Sequence, residues 1–191
     1  RVRTLRPTQA LVLSHSIPCL LAALLLACGP QAEIDRSGPV ADWPSYGAAP
    51  GGGRFSPLTQ ITAQNVGALE AVWTYHTGDV LEAGEALAPT SFQATPILAF
   101  GSLYLCTPFN RVIALDPDTG AERWVYDPEV DVSEIYVTAC RGVSAWQDRA
   151  AALGARCQRR IFSGTLDARL IALDAATGLP CADFGAGGSV D

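Results

Sequence analysis

Apolar residues along this chain come in short bursts, either unbroken or alternating with polar ones, and the bursts are separated by Gly, Asp, Pro and Thr. That pattern predicts strands rather than helices. Residues 112–115 read Val-Ile-Ala-Leu and residues 170–173 read Leu-Ile-Ala-Leu, apolar at every position, so each is predicted as a strand covered on both faces. Asp116 and Asp174 then open turns in which a carboxylate can accept backbone N–H groups, and Gly120 and Gly178 supply the positive φ that closes them. The stretch RVIALDPDTG at 111–120 is almost repeated as RLIALDAATG at 169–178, and Thr107 and Thr165 extend the match. Self-similarity of this kind marks a repeat architecture whose small sheets bury their faces against one another.

The flanking strands follow. Residues 94–100 and 103–106 bracket Gly101-Ser102 as a hairpin. Residues 122–126 resume after the first turn with a Trp-x-Tyr spacing that also occurs at 73–75, and both are predicted as outer strands with the Trp wedged between sheets. The matching position of the second repeat is Ala182, so no wedge is expected there. Residues 141–146, 160–164, 168–174 and 180–184 complete a second set of four strands. The fold class is therefore all-β, and four antiparallel strands per repeat make the blade of a β-propeller. A β-sandwich is the rival, but it would not repeat a turn so closely. The chain accommodates about two blades plus an outer strand of a closing blade, short of the roughly four to eight that close a ring. With no Met anywhere in it, the chain is expected to be the front part of a longer protein, and alone it would leave a sheet edge open.

Composition narrows the function. The net charge is −6 and all 13 basic residues are Arg, with no run long enough to track a nucleic acid, so no nucleic-acid partner is expected. Residues 1–28 read as a signal peptide: Arg1, Arg3 and Arg6 precede an apolar run over 11–26 that His15, Ser16 and Pro18 interrupt, too short for a membrane anchor. The run ends Leu25-Leu26-Ala27-Cys28-Gly29, which resembles a bacterial lipobox with Cys28 as the lipidated residue; an ordinary secretory signal is the alternative. Residues 29–41 read as a tether and 42–191 as the propeller segment. Export implies an oxidising compartment, in which Cys106, Cys140, Cys157 and Cys181 have three possible pairings that the sequence does not choose among. Without a CxxC and with only two His, a zinc site is not expected.

Three motifs carry a family resemblance: Trp43-Pro44-Ser45-Tyr46-Gly47, Gly53-Arg54-Phe55-Ser56-Pro57-Leu58-Thr59-Gln60-Ile61, and Trp73-Thr74-Tyr75-His76-Thr77-Gly78-Asp79. With the Ala114-x-Asp-x-x-Thr-Gly-x-x-x-Trp124 docking motif they resemble the start of pyrroloquinoline-quinone (PQQ)-dependent dehydrogenases. Cys140-Arg141-Gly142-Val143 and residues 164–172 point to the membrane-associated glucose, quinate and polyol branch. The resemblance implies an eight-bladed propeller in the full-length family, with PQQ near its axis beside Ca²⁺. It implies oxidation of a sugar, polyol or alcohol on the periplasmic side of a bacterial membrane, with electrons passed to a membrane quinone or a cytochrome c.

Carried over residue by residue, the resemblance assigns three cofactor-binding positions. Arg141 matches the family Arg that bonds the quinone, since a guanidinium fork suits an anionic tricarboxylate; pairing with an acid such as Asp148 is the alternative. Thr165 is placed to donate its hydroxyl to a cofactor carboxylate, or else serves its turn as Thr107 does. Gln93 stands where relatives often place Glu, able to hydrogen-bond but not to act as a carboxylate. Residues 135–139 carry neither an adjacent Cys pair nor a His, which leaves the substrate type open. No residue is expected to be catalytic, because the family's base, Ca²⁺ ligands and quinone-neighbouring Lys are expected beyond Asp191. His76 reads as a structural His on a strand, Asp116, Asp167 and Asp174 as turn acids, and Trp43 and Phe55 as packing for the amino-terminal extension. The competing readings are a non-enzymatic propeller lipoprotein of the outer-membrane assembly type and an inactive truncated remnant.

Overall fold

The computed structural model describes residues 42–49, 51–79 and 90–191. The expectations for the signal peptide, Cys28 and the tether lie outside these residues. The ten strands among the described residues fall into two four-stranded antiparallel sheets and one two-stranded parallel pair, with a single 3-10 turn at Val66–Ala68 and no α-helix. No helix there is long and apolar enough to cross a membrane.

The first sheet is built from β2 (Ile97–Ala99), β3 (Ser102–Cys106), β4 (Val112–Leu115) and β5 (Glu122–Tyr126), paired in chain order. The second is built from β7 (Ser144–Gln147), β8 (Arg159–Gly164), β9 (Leu170–Asp174) and β10 (Ser189–Val190), also in chain order. β1 (Thr90–Phe92) precedes the first sheet and β6 (Thr138–Cys140) the second, and these two lead-ins pair in parallel. Two consecutive four-stranded units joined in this way are two propeller blades.

Every residue of β4 is buried, as the unbroken apolar run requires. One face of the first sheet, through Tyr104, Val112 and Ala114, shares a core with Ile161, Ile171 and Leu173 of the second. Its other face, through Leu105, Ile113 and Leu115, is covered by Trp73 and Tyr75. Residues 73–77 alternate between half-buried and exposed, the period of a strand, yet they carry no ladder pairing. The predicted outer strand at 73–75 is thus an extended segment laid on the first sheet without a strand partner among the described residues, and His76 on it is exposed. The segment is fastened by Arg111, whose guanidinium donates to both carboxylate oxygens of Asp79 at 2.9 and 2.6 Å.

The wedged tryptophans are present. Trp73 lies on the Asp116–Gly120 turn, donating its indole N–H to the Pro117 carbonyl at 3.2 Å, and Trp124 lies on the Asp174–Gly178 turn, donating to the Ala175 carbonyl at 3.1 Å. Gly120 and Gly178 both take φ +71, and a Cβ at either would stand 2.6 Å from the ring above it. The shared Thr-Gly of the repeat therefore makes a seat for the preceding unit's indole.

Several boundaries differ from the sequence reading. The inner hairpin strand is confined to Ile97–Ala99, and residues 141–143 form an approach to β7 rather than part of it. The strand predicted over 180–184 is a turn. Its backbone touches the sheet at one bridge, Leu173 to Pro180, made by Cys181 N–H to the Ala172 carbonyl and Asp174 N–H to the Leu179 carbonyl, and then closes a turn in which Phe184 N–H donates to the Cys181 carbonyl. The chain then loops out through Gly185, Gly187 and Gly188, all at positive φ, and returns as β10. Proline has no N–H for a ladder and the glycines permit the excursion. Phe55 is 78% exposed, so it packs no blade, whereas Trp43 pairs through its backbone with Leu98.

Two disulfides form among the described residues, Cys106–Cys140 and Cys157–Cys181. The first joins the end of β3 to the lead-in of the second sheet. The second pins the loop before β8 to the excursion after β9.

Candidate functional site

Successive turns of an antiparallel sheet alternate between its two ends. The β3–β4 and β8–β9 turns, at 107–111 and 165–169, therefore lie at the end where β2 and β7 begin. The lead-ins β1 and β6 meet there, in register from Thr90 opposite Thr138 to Phe92 opposite Cys140. The contact continues as Thr95 N–H donates to the Arg141 carbonyl at 3.2 Å. Gln93 and Arg141 are the next positions in that register. All three candidate residues thus lie at one end of the two sheets, Gln93 and Arg141 on adjacent lead-ins and Thr165 farther out on the β8–β9 turn.

The backbone at Arg141 is held from both sides. Cys140 is tied to Cys106, and Gly142 takes φ +153 with the Thr95 carbonyl oxygen 3.4 Å from where a Cβ would be. The Arg141 side chain is exposed, and the ion pairs among the described residues involve Arg111, Arg123, Arg160 and Arg169 instead. Asp148, the alternative partner, accepts the Ala150 N–H at 2.8 Å. The Gln93 amide donates to the Ser91 hydroxyl at 2.8 Å and is exposed. Thr165 serves its turn: its oxygen accepts the Arg169 N–H at 3.1 Å and its hydroxyl donates to Asp167, much as Thr107 accepts the Arg111 N–H at 3.2 Å. Arg169 beside Asp167 holds that carboxyl below its ordinary range, so the acid on the turn is already neutralised. What this end offers is one guanidinium without an acid partner among the described residues, beside an amide.

That donor set fits the group implied by the resemblance, a tricarboxylate anion, because an unpaired guanidinium meets carboxylates in a fixed fork. The described residues do not supply a calcium site. Their only close trio of candidate ligands is Cys157, Cys181 and Asp183, and two of its members are joined in a disulfide. Calcium takes about six to eight oxygen ligands.

The opposite end holds a feature the sequence reading did not find. A cleft of about 710 Å³ opens between the two sheets, with Tyr104 and Ala175 in its wall and Arg123, Arg156 and Arg159 around it. The arginines are scattered in sequence, and only the Arg156-Cys157-Gln158-Arg159-Arg160 run hints that folding would gather them. The cleft's one carboxylate, Asp174, is pushed up by burial. The N–H groups of Cys157, Thr177 and Ala176 and the Thr177 hydroxyl outweigh that and hold it below its ordinary range.

Comparison with known proteins agrees with the propeller-blade fold. Residues 43–191 match the PQQ family described as glucose/ethanol/alcohol dehydrogenase, beta-propeller domain. The quinoprotein glucose dehydrogenase A of Acinetobacter calcoaceticus is 37% identical over 177 residues, covering 85% of this chain and 22% of that protein. The quinoprotein glucose dehydrogenase of Escherichia coli K12 is 43% identical over 153 residues, covering 76% and 19% respectively. Among solved structures, the quinohemoprotein alcohol dehydrogenase from Comamonas testosteroni superposes with a TM-score of 0.61 at 32% identity, over 75% of this chain and 19% of that one. The chain spans about a fifth of the length of the curated relatives it matches. With its paired blades, its indoles seated on Thr-Gly turns and a family match over nearly all of the described residues, the chain belongs to the PQQ-dependent dehydrogenase β-propeller family.

Proposed function

We propose that the full-length protein is a quinoprotein dehydrogenase that binds PQQ at the Arg141 end of these blades and oxidises a sugar, polyol or alcohol. The observation that carries this reading is Arg141 itself, an exposed guanidinium without an acid partner among the described residues, at the end where the two lead-ins meet, in a chain of this family. When bound, PQQ supplies a two-electron acceptor for a hydride from the substrate carbon. This chain's contribution is binding and orientation. Arg141 offers two parallel N–H donors to a carboxylate, and Gln93 adds a neutral donor or acceptor on the neighbouring lead-in. Thr165 keeps its turn in shape, with its hydroxyl engaged by Asp167 in place of a cofactor carboxylate. The disulfide at Cys140 and the bond to Thr95 fix the Arg141 backbone, which reduces the entropy lost on binding. The remaining parts of the proposal are the base, the Ca²⁺ ligands and the Lys in the rest of the protein, a membrane quinone or cytochrome c as electron acceptor, and a periplasmic location with Cys28 as lipid anchor.

The test is reconstitution. Purified full-length protein loaded with PQQ and Ca²⁺ is expected to reduce an artificial electron acceptor in the presence of an aldose, a polyol, quinate or a primary alcohol. Absence of turnover with every member of that set, in protein that has bound the quinone, would overturn the reading.

A further inference from the structure

We infer that the cleft between the two sheets, at the end opposite Arg141, is a binding site for a small soluble oxyanion, a phosphate or carboxylate carried on an apolar body. The inference stands apart from the quinone reading and uses none of its residues.

Charge is the first argument. The chain as a whole is acidic, with 19 Asp and Glu against 13 Arg, yet the cleft gathers three guanidinium groups against one carboxylate. That carboxylate, Asp174, takes its hydrogen bonds from its own turn and from Cys157 N–H at 2.6 Å and forms no ion pair with an arginine of the cleft, so two guanidinium groups keep their forks free of carboxylates. Arg123 is paired with Asp116 at 2.8 Å. Arg156 and Arg159 have no carboxylate partner among the described residues: Arg156 donates to the Pro180 carbonyl at 3.1 Å, and Arg159 lies over the Phe100 ring at 5.2 Å. A low-dielectric wall beside such unpaired charge focuses the field on anions.

Preorganisation is the second. Each arginine already makes a contact that fixes its stem: Arg123 donates to the Gly101 carbonyl at 2.7 Å, Arg156 to Pro180, and Arg159 reaches across from the second sheet to an aromatic ring of the first. The loop carrying Arg156 is itself pinned. Cys157 is disulfide-bonded to Cys181, and the buried Gln158 accepts the Gly154 N–H at 3.0 Å. Donors held in place lose little entropy when an anion arrives. Shape adds to this. Tyr104, buried and with its hydroxyl donating to the Ala175 carbonyl at 2.9 Å, closes the wall of the cleft, and the apolar surface open to a ligand is that of Leu153 and Leu179. An inorganic anion would use the arginines alone, whereas an anion on an apolar body would use both features.

The experiment titrates full-length protein with phenyl phosphate and with inorganic phosphate at low ionic strength, by calorimetry, beside the Arg156→Gln, Arg159→Gln double variant. Both side chains are exposed, so the variant is expected to melt at the wild-type temperature. The expected result is saturable binding of phenyl phosphate, tighter than that of inorganic phosphate, and a loss of at least about tenfold in affinity in the variant. Unchanged affinity in a variant that melts normally would overturn the site. So would an absence of saturable binding, or capture by anionic phospholipid vesicles without binding of the soluble phosphate, which would assign the arginines to a membrane surface.

Discussion

A single methyl group at Gly178 would stand 2.6 Å from the Trp124 ring, on a backbone at φ +71 that L-residues rarely adopt. Gly178→Ala therefore combines backbone strain of about 1–2 kcal/mol with displacement of an indole that bridges two sheets. Gly154, at φ +77 with nothing within 4 Å of its Cβ position, isolates the first term. Thermal melts of full-length protein are expected to show Gly178→Ala and Gly120→Ala well below Gly154→Ala, the difference being the cost of unseating the tryptophan. The turn acids set a second expectation. Arg123 and the Thr119 hydroxyl and N–H lower Asp116 from 3.8 to about 2, and Asp174 is lowered as well. A carboxyl depressed in the folded state contributes its full stability above its ordinary value and loses it as the pH falls through the folded one. Stability should thus fall between about pH 4 and pH 2, a decline that Asp116→Asn and Asp174→Asn flatten in acid-unfolding curves. Both acids were legible in the sequence, because an Asp opening an x-x-Thr-Gly turn has backbone N–H groups waiting for it.

At the scale of elements, the central strands were readable and the edges were not. Residues 112–115 are buried at every position as predicted, and so are 171–173, while Leu170 at the start of β9 is left exposed. The last strand was misplaced because 180–184 has strand-like spacing but begins at Pro180, and the glycines at 185, 187 and 188 let the ladder reopen at Ser189. The segment at 73–75 shows the reverse: its Trp-x-Tyr spacing does lay both rings on the first sheet, but the predicted outer strand is absent, since ladder bonds depend on a partner strand that its own sequence does not specify. The disulfide pairing was equally out of reach, since it depends on which turns meet in space. Cys106–Cys140 closes a sequence separation of 34 residues, and loop-closure entropy gives such a bridge a worth of about 3–4 kcal/mol. The Cys106→Ala, Cys140→Ala double variant is expected to melt lower by that measure, and reductant should bring wild type toward it. A variant indifferent to reductant and melting as wild type does would contradict the structural role.

For the whole molecule, two blades placed side by side explain how a repeat becomes a site. The lead-ins to the two first strands pair in parallel, and that pairing brings Gln93 and Arg141, far apart in sequence, to adjacent positions at one end. The sequence named these residues through a family motif, but not their placement. Thr165 was also named, and the structure engages its hydroxyl in the same kind of turn contact that Thr107 makes. The arginine cleft went unread because it is assembled from both sheets. The claim that binds the account together is that Arg141 receives the quinone. Its most direct test is the affinity of full-length protein for PQQ, measured by fluorescence quenching in wild type and in Arg141→Ala. The account predicts affinity weakened by at least about tenfold in a variant that melts normally, the loss of one charge-assisted fork. Equal affinity in the two proteins would contradict it.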